Sequence, residues 1–120
     1  MSTGRKDDSE KIRMDLLDPS FTEGVASVLT MGAKKYSPDN WRGGIAFTRI
    51  ISAILRHLCV IQRGEDVDPE SGQLHAYHIG CNCQFLGWMK KNRPDMDDRF
   101  KLPDDFELNQ LFAKEDNGVK

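Results

Sequence analysis

The stretch of residues 63–82 carries the densest set of chemically useful side chains in the sequence. Four carboxylates fall within six consecutive positions, and two histidines and an asparagine follow them. Hard divalent cations prefer oxygen ligands, and Mg²⁺ is commonly held by a few carboxylates together with substrate phosphates. The carboxylates therefore predict a Mg²⁺ or Mn²⁺ site, and the alternative is an acidic, solvated loop between two helices. The candidate metal ligands are Glu65, Asp66, Asp68 and Glu70.

The histidines that follow are spaced so that they share one face of a helix. His78 and Asn82 lie three and seven positions after His75, which places the three side chains within about 60° of one another around a helix. The same face continues into Phe85 and Met89, so a polar group stands at one end of an apolar stripe. Buried polar groups need partners, so the group is either a satisfied network or a binding site. Imidazoles there could transfer protons, bind a metal or hydrogen-bond a ligand. The candidate catalytic residues are His75, His78 and Glu65.

A second cluster, at residues 32–41, combines two lysines, two aromatic rings and an amide. In a nucleotide site the lysines would meet phosphates, a ring could stack on the base and the amide could hydrogen-bond its edge. The alternative is a structural role. Lysines near the C-terminus of a helix interact favourably with its dipole, and the aromatic rings could pack in the core. The candidate substrate-binding residues in this loop are Lys34, Lys35, Tyr36, Asn40 and Trp41.

Arginines recur every seven residues, at 49, 56 and 63, and so line one side of a predicted helix. They form either the solvated face of that helix or a row of guanidinium groups for phosphates, whose oxygens match the guanidinium fork. The same helix carries the third histidine of the chain. The substrate-binding set is therefore extended by Arg49, Arg56, His57 and Asn82.

Composition and charge favour a small anionic ligand over duplex DNA. The chain has 120 residues, 38% of them hydrophobic, and a net charge of −2, yet residues 32–63 hold six basic groups and one acid. A net-acidic protein with a local basic segment suits a phosphorylated small molecule, and we expect no stable nucleic-acid complex. No signal peptide or membrane span is evident, which makes the cytoplasm the expected location. The three cysteines fall in apolar surroundings and are predicted to be small buried side chains.

The hydrophobic spacing predicts helices and no strands. We expect a first helix over 20–35 and a second over 46–63, the latter with a core stripe formed by Phe47, Ile51, Ile54, Leu58 and Ile61. A third helix is predicted from an Asp68-Pro69 cap to residue 92, and a short fourth near 104–114.

The chain is expected to form one all-α domain at residues 13–112, a bundle of about four helices. A flexible arm at 1–12 would precede it and a flexible tail at 113–120 would follow it.

Several runs together resemble the phage dATP/dGTP diphosphohydrolase family, which is grouped with the MazG-like all-α nucleotide pyrophosphohydrolases. The resemblance covers roughly residues 11–92, and its most specific part runs from the Gly-Glu-Asp sequence to the two spaced histidines. The MazG-like metal motifs, Glu-Glu-x-x-Glu and Glu-x-x-Asp on successive helices, are not found on the predicted helices here. The runs are Arg13-Met-Asp-Leu-Leu, Gly32-Ala-Lys-Lys-Tyr, Asn40-Trp-Arg, Arg56-His-Leu, Gly64-Glu-Asp-Val-Asp-Pro-Glu-Ser-Gly, and His75, His78 and Asn82.

The resemblance implies a metal-dependent enzyme that hydrolyses a purine deoxynucleoside triphosphate, dGTP or dATP, to the monophosphate and pyrophosphate. It also implies a homodimer or homotetramer with sites at helix and subunit boundaries, acting on the phage nucleotide pool in the host cytoplasm. Two other hypotheses remain open. One is a non-catalytic nucleotide sensor or accessory module, and the other is a metal phosphohydrolase that releases phosphate or triphosphate.

Overall fold

Three α-helices form the framework of the part of the chain that the structure describes. The computed structural model describes residues 3–103. Helix α1 spans Pro19–Lys35, α2 spans Phe47–Gln62 and α3 spans His75–Asn92, with short 3-10 turns at Met14–Leu16, Asn40–Gly43 and Pro94–Met96. Within this part of the chain the only β pairing is one isolated bridge, so the predicted all-α class is confirmed. The predicted fourth helix at 104–114 and the tail at 113–120 lie outside the described residues.

The first two helices begin and end where local chemistry predicts. Asp18 caps α1, since its carboxylate accepts a hydrogen bond from the Phe21 N–H at 3.1 Å, and Pro19 occupies the first helical position. After α2, Gly64 has a φ of 102°, a left-handed conformation that ends the helix and favours glycine. The predicted helices at 20–35 and 46–63 are therefore confirmed to within one residue at each end.

The predicted start of the third helix is wrong. Helix α3 begins at His75, not after Asp68, because Gly72 has a φ of 74° and turns the chain out of the helical path. The Asp68 backbone N–H donates to the Gln73 carbonyl at 2.9 Å, and Val67 pairs with Leu74. The Asp-Pro sequence therefore starts a closed loop at residues 67–74, which leads the carboxylates back toward the start of α3.

Helix α3 packs against both other helices, and the main core lies where it meets α2. Four buried side chains form this core, and Met89 and Phe47 are almost fully enclosed. The predicted α2 stripe is correct at its start but wrong at Leu58, which is half-exposed, whereas Ile50 is buried. No helix within residues 3–103 is both long enough and apolar enough to cross a membrane. The buried core residues are Trp41, Phe47, Ile50 and Met89.

Helices α1 and α3 approach closely because each has a glycine at the contact. A Cβ built on Gly24 would lie 2.5 Å from the Tyr77 ring, and one on Gly80 would lie 2.9 Å from Val25. The Phe21 and Tyr77 rings meet edge to face across this contact, with centroids 5.5 Å apart. Since no real side chain tolerates such distances, these glycines set the separation of α1 and α3.

We expect Gly24→Ala to destabilise the fold. Overpacking against Tyr77 costs about 1–3 kcal/mol, and only about 1 kcal/mol is recovered from the better helix propensity of alanine. The matched control is Gly87→Ala on α3, where the new Cβ would meet no described atom within 4 Å apart from its chain neighbours and its own helix backbone, and a gain of about 0.5–1 kcal/mol is expected. Urea unfolding of both variants measures the difference, and equal stability would show that α1 and α3 are not held this closely.

Candidate functional site

A chain of three side chains joins the loop after α2 to both helices beside it. The His75 ring uses both of its nitrogens: Nε2 lies 2.7 Å from Glu65 Oε2, and Nδ1 lies 2.8 Å from His57 Nδ1. His75 is only 3% exposed, whereas Glu65 is half-exposed. The structure thus brings together two predicted catalytic residues, Glu65 and His75, with His57 of α2.

A second chain runs through the loop at residues 67–74 to His78. The Ser71 hydroxyl lies 2.8 Å from Asp68 Oδ2 and 2.7 Å from His78 Nε2. The Ser71 hydroxyl donates its hydrogen bond to the Asp68 carboxylate. Ser71 Oγ therefore accepts a hydrogen bond from His78 Nε2–H. The rings of His78 and His57 stack, with centroids 4.7 Å apart and an interplanar angle of 11°. His57, His75 and His78 therefore form one group, which we call the histidine cluster.

Burial lowers the pKa of two members of this cluster, His57 and His78. Desolvation lowers the pKa of His57 below 6.5, and the neighbouring His78 and His75 lower it further. Desolvation also lowers the pKa of His78, although Asp68 opposes the change. Burial raises the pKa of Asp68, but hydrogen bonds from Ser71 and the Glu70 backbone outweigh it, so that pKa lies below 3.8. At neutral pH the site therefore offers neutral imidazoles at His57 and His78 beside the ionised carboxylate of Asp68.

These shifts predict that the protein loses stability on mild acidification. Just below pH 6.5 the unfolded chain binds protons at His57 and His78 that the folded protein binds less readily, so the free energy of unfolding falls as the pH falls through this region. Urea midpoints measured between pH 7.5 and 5 check this, with His57→Gln as the variant whose slope should be shallower. A wild-type midpoint that does not fall over that range would contradict the depressed pKa values.

A cavity of about 260 Å³ lies between α1, α3 and the loop that joins α1 to α2. Its walls are mainly apolar, and four predicted substrate-binding residues reach it: Tyr36, Asn40, Trp41 and Asn82. His78 lines it as well, so the cavity adjoins the histidine cluster. The remaining wall residues are Val28, Leu29, Gly32, Ala33, Ser37, Pro38, Ile45, Cys81 and Phe85.

Trp41, in the loop that joins α1 to α2, forms a closely packed part of the cavity wall. Trp41 is 8% exposed, and its ring centroid lies 4.9 Å from Phe85 and 5.1 Å from Trp88. The Arg42 guanidinium carbon lies 4.3 Å from the centre of the Trp41 ring. On α3, Asn82 Nδ2 donates to the His78 carbonyl at 2.9 Å, which leaves the side-chain oxygen of Asn82 available as an acceptor. Both the loop and the helix-face predictions thus converge on one cavity.

The predicted cationic residues make no described contact with the histidine cluster or with the cavity. Arg56 hydrogen-bonds Ser52 at 2.8 Å and lines a different, open groove along α2 with Arg63, while Arg49 is exposed. Lys34 and Lys35 are exposed at the end of α1, beside Tyr36 of the cavity wall.

The side chains of two of the four predicted metal ligands have hydrogen-bond partners, and those of the other two have none within residues 3–103. Glu65 is bound to His75 and Asp68 to Ser71, whereas Asp66 and Glu70 are exposed and their side chains make no hydrogen bond within residues 3–103. In that part of the chain no three His, Cys, Asp or Glu side chains are grouped so that they could hold a metal ion by themselves.

Two parts of the site were missed at the sequence level. Ser71 was not assigned a role, although a hydroxyl three residues after Asp68 is a common partner for such a carboxylate. The α1 wall of the cavity carries no polar signal at all. The cysteine prediction is correct only for Cys81, which is buried with its pKa raised by desolvation to about 11, since Cys59 and Cys83 are exposed.

Comparison with known proteins agrees with the resemblance seen in the motifs. The family described as dATP/dGTP diphosphohydrolase, N-terminal, matches residues 1–99. A curated relative, the dATP/dGTP diphosphohydrolase of Salmonella phage PMBT28, is 41% identical over 97 residues, which is 81% of this chain and 33% of the relative. The chain thus spans about a third of the length of that relative. No solved structure matches the chain. On these matches, the chain belongs to the dATP/dGTP diphosphohydrolase N-terminal family.

Proposed function

We propose that this protein takes part in metal-dependent hydrolysis of a purine deoxynucleoside triphosphate, dGTP or dATP, to the monophosphate and pyrophosphate. The observation that carries the proposal is the position of His78, which lines the cavity and also belongs to the histidine cluster. A ligand bound in the cavity would therefore extend toward groups that can accept protons. The family and the name of the phage relative support the substrate class.

The cavity suits a purine base. At about 260 Å³ it is smaller than the pockets of roughly 300–1,000 Å³ that enclose drug-sized ligands, so it would hold one planar ring system and leave the phosphates outside. Trp41, Tyr36 and Phe85 would provide flat apolar contacts, while Asn40 and Asn82 would hydrogen-bond the base edge. The phosphates would then lie toward His78 and the loop at residues 67–74.

Magnesium or manganese fits this arrangement only together with substrate. Mg²⁺ is usually bound by one or two carboxylates plus substrate phosphates, which matches a site without three grouped protein donors in residues 3–103. Of the four predicted ligands, Asp66 and Glu70 would be the more available, because Glu65 and Asp68 already contact histidines of the cluster. The ion would supply charge neutralisation at the phosphates.

Further parts of the proposal concern charge and assembly. Lys34 and Lys35, next to Tyr36, would neutralise phosphate charge, and Arg49 and Arg56 would do so from a second copy or after rearrangement, since they lie away from the cavity. We propose a MazG-like bundle of about four helices that forms a homodimer or homotetramer in the host cytoplasm. The half-exposed Leu55 and Leu58 on α2 support assembly.

The test is incubation of the protein with each deoxy- and ribonucleoside triphosphate, with Mg²⁺ or Mn²⁺ and then with a chelator. Products are resolved by anion-exchange chromatography. Monophosphate and pyrophosphate formed from dGTP or dATP only in the presence of metal is the expected result. Release of inorganic phosphate or triphosphate would identify a different phosphohydrolase.

A second candidate function is a nucleotide-binding module without catalysis. It is favoured by one observation: the chain covers only 33% of the relative named a diphosphohydrolase. Nucleotide binding in a thermal-shift assay, with every triphosphate intact after prolonged incubation with metal, would establish this function.

A further inference from the structure

Helix α2 has apolar side chains on the face opposite the one that packs on α3. An open groove of about 560 Å³ runs along this face, and the residues that line it belong to α2 or its C-cap. Cys59 in the groove lies nine positions after the buried Ile50, which places it about 180° from the core side of the helix. Leu55 is 55% exposed there, and Ile51 and Val60 line the groove as well. A contiguous exposed apolar surface of this kind is typical of a binding surface.

The groove also carries positive charge and no negative charge. Arg56 and Arg63 line it, and residues 47–63 contain no Asp or Glu. Two copies of α2 laid face to face would therefore place arginines against arginines, and like charges that meet across an interface lower the affinity. The occupant that fits the groove is instead a segment that combines large apolar side chains with carboxylates.

The sequence contains such a segment directly beyond the described residues. Residues 104–112 read Asp-Asp-Phe-Glu-Leu-Asn-Gln-Leu-Phe, with three carboxylates, four large apolar side chains and no basic residue. The charge of this segment is opposite to that of the groove, and its apolar side chains could cover the exposed leucine. Segments of this composition are typical occupants of apolar grooves on helices.

The described part of the chain also approaches one end of the groove. The Asp98 carboxylate accepts hydrogen bonds from the backbone N–H of Thr48, at 2.9 Å, and from its hydroxyl, and Thr48 lines the groove at the start of α2. From Thr48 to Arg63 the helix rises about 22 Å. The six residues from position 98 to position 104 can extend over about 20 Å, so the segment can reach any part of the groove.

We propose that residues 104–112 of this chain bind in the groove on α2, with their apolar side chains on Leu55 and their carboxylates toward Arg56 and Arg63. Helix α2 then lies between α3 and this segment, which would complete a bundle of about four helices. The inference goes beyond the proposed function and does not depend on nucleotide hydrolysis. Leu58 and Arg49 do not line the groove, so they stay available for assembly and for phosphate, whereas Arg56 becomes available only when the segment leaves.

Thiol labelling of the full chain tests the proposal, because the three cysteines serve as internal probes. Cys59 lies in the groove, Cys83 is exposed on α3 outside it, and Cys81 is buried and reports that the protein is folded. Labelling by N-ethylmaleimide is followed by mass spectrometry, and each rate is divided by the rate of the same cysteine in urea. We expect Cys59 to be labelled at least about tenfold more slowly than Cys83, since the bound segment must open before the reagent enters.

Two matched variants identify the occupant. The first replaces the four apolar residues of the segment by serine and should raise the relative rate of Cys59 to that of Cys83. The second replaces two polar residues of the same segment by serine and should leave Cys59 protected. Cys81 should stay slow in both variants. The substitutions are Phe106→Ser, Leu108→Ser, Leu111→Ser and Phe112→Ser in the first variant, and Asn109→Ser and Gln110→Ser in the second.

Four results would overturn the proposal. Equal relative rates for Cys59 and Cys83 in the wild type would show that the groove is open. Protection of Cys59 that persists in the first variant would show that something other than this segment covers the groove. Protection that fades when the wild type is diluted would show that a second copy supplies the occupant. Protection of Cys83 in place of Cys59 would place the segment on a different surface.

Discussion

Replacing His78 by alanine is expected to abolish hydrolysis of dGTP and dATP while the protein remains folded. His78 is the residue shared by the cavity and the histidine cluster, and its ring supports His57 by stacking. Alanine removes one of the side chains that line the cavity, the stacking contact with His57 and the hydrogen bond to Ser71. Since a positioned acid or base contributes about 10²–10⁴-fold to a rate, we expect kcat to fall by at least about 100-fold.

The stability cost of the same change should be modest. One hydrogen bond contributes about 1 kcal/mol, and His78 is not part of the main core. Circular dichroism and urea unfolding would show a folded protein, and Gln84→Ala, an exposed position on the same helix, should match the wild type in both assays. Wild-type turnover by His78→Ala would remove this histidine from the mechanism.

Trp41→Ala is expected to cause the largest loss of stability. Trp41 is buried in the core, and its ring packs on Phe85 and Trp88. Truncating a buried tryptophan costs about 3–5 kcal/mol, a large part of the roughly 5–15 kcal/mol that stabilises a domain. Nucleotide binding should fall as well, because Trp41 is also a wall of the cavity.

Tyr36→Ala separates the two effects of Trp41. Tyr36 lines the same cavity but is 63% exposed and lies outside the core. Its truncation should weaken nucleotide binding with little change in the urea midpoint. A Trp41→Ala variant that loses less than about 1 kcal/mol would show that the aromatic core is not packed as described.

Local patterns were sufficient for most of the framework. The spacing of apolar residues predicted α1 and α2, and Asp18-Pro19 and Gly64 act as the caps that such residues usually form. The same reasoning predicts a helix start at Asp68-Pro69, and this prediction is wrong. An equally good cap sequence starts a loop there. A cap only lowers the free energy of a helix start. Here the positive φ of Gly72 and the pairing of Val67 with Leu74 direct the chain elsewhere.

The site was predictable where it is local in sequence and not where it depends on packing. His75, His78 and Asn82 could be grouped because helical spacing alone relates them. The contact of His57 with His75 joins residues 18 positions apart on two helices, and nothing in either segment indicates that their Nδ1 atoms meet. For the same reason, the seven-residue spacing of the arginines on α2 does not show that Arg56 and Arg63 line a groove separate from the cavity.

The most direct test of the account is whether nucleotide binds in the cavity between α1 and α3. Calorimetry with α,β-methylene dGTP, whose α–β linkage cannot be hydrolysed, measures this for the wild type and for Ala33→Leu, which fills the cavity from α1. The matched control is Ala26→Leu, the same change at an exposed position of the same helix outside the cavity. We predict binding by the wild type and the control, and affinity at least about tenfold weaker for Ala33→Leu. Equal affinity in all three proteins would contradict the assignment of this cavity as the nucleotide site.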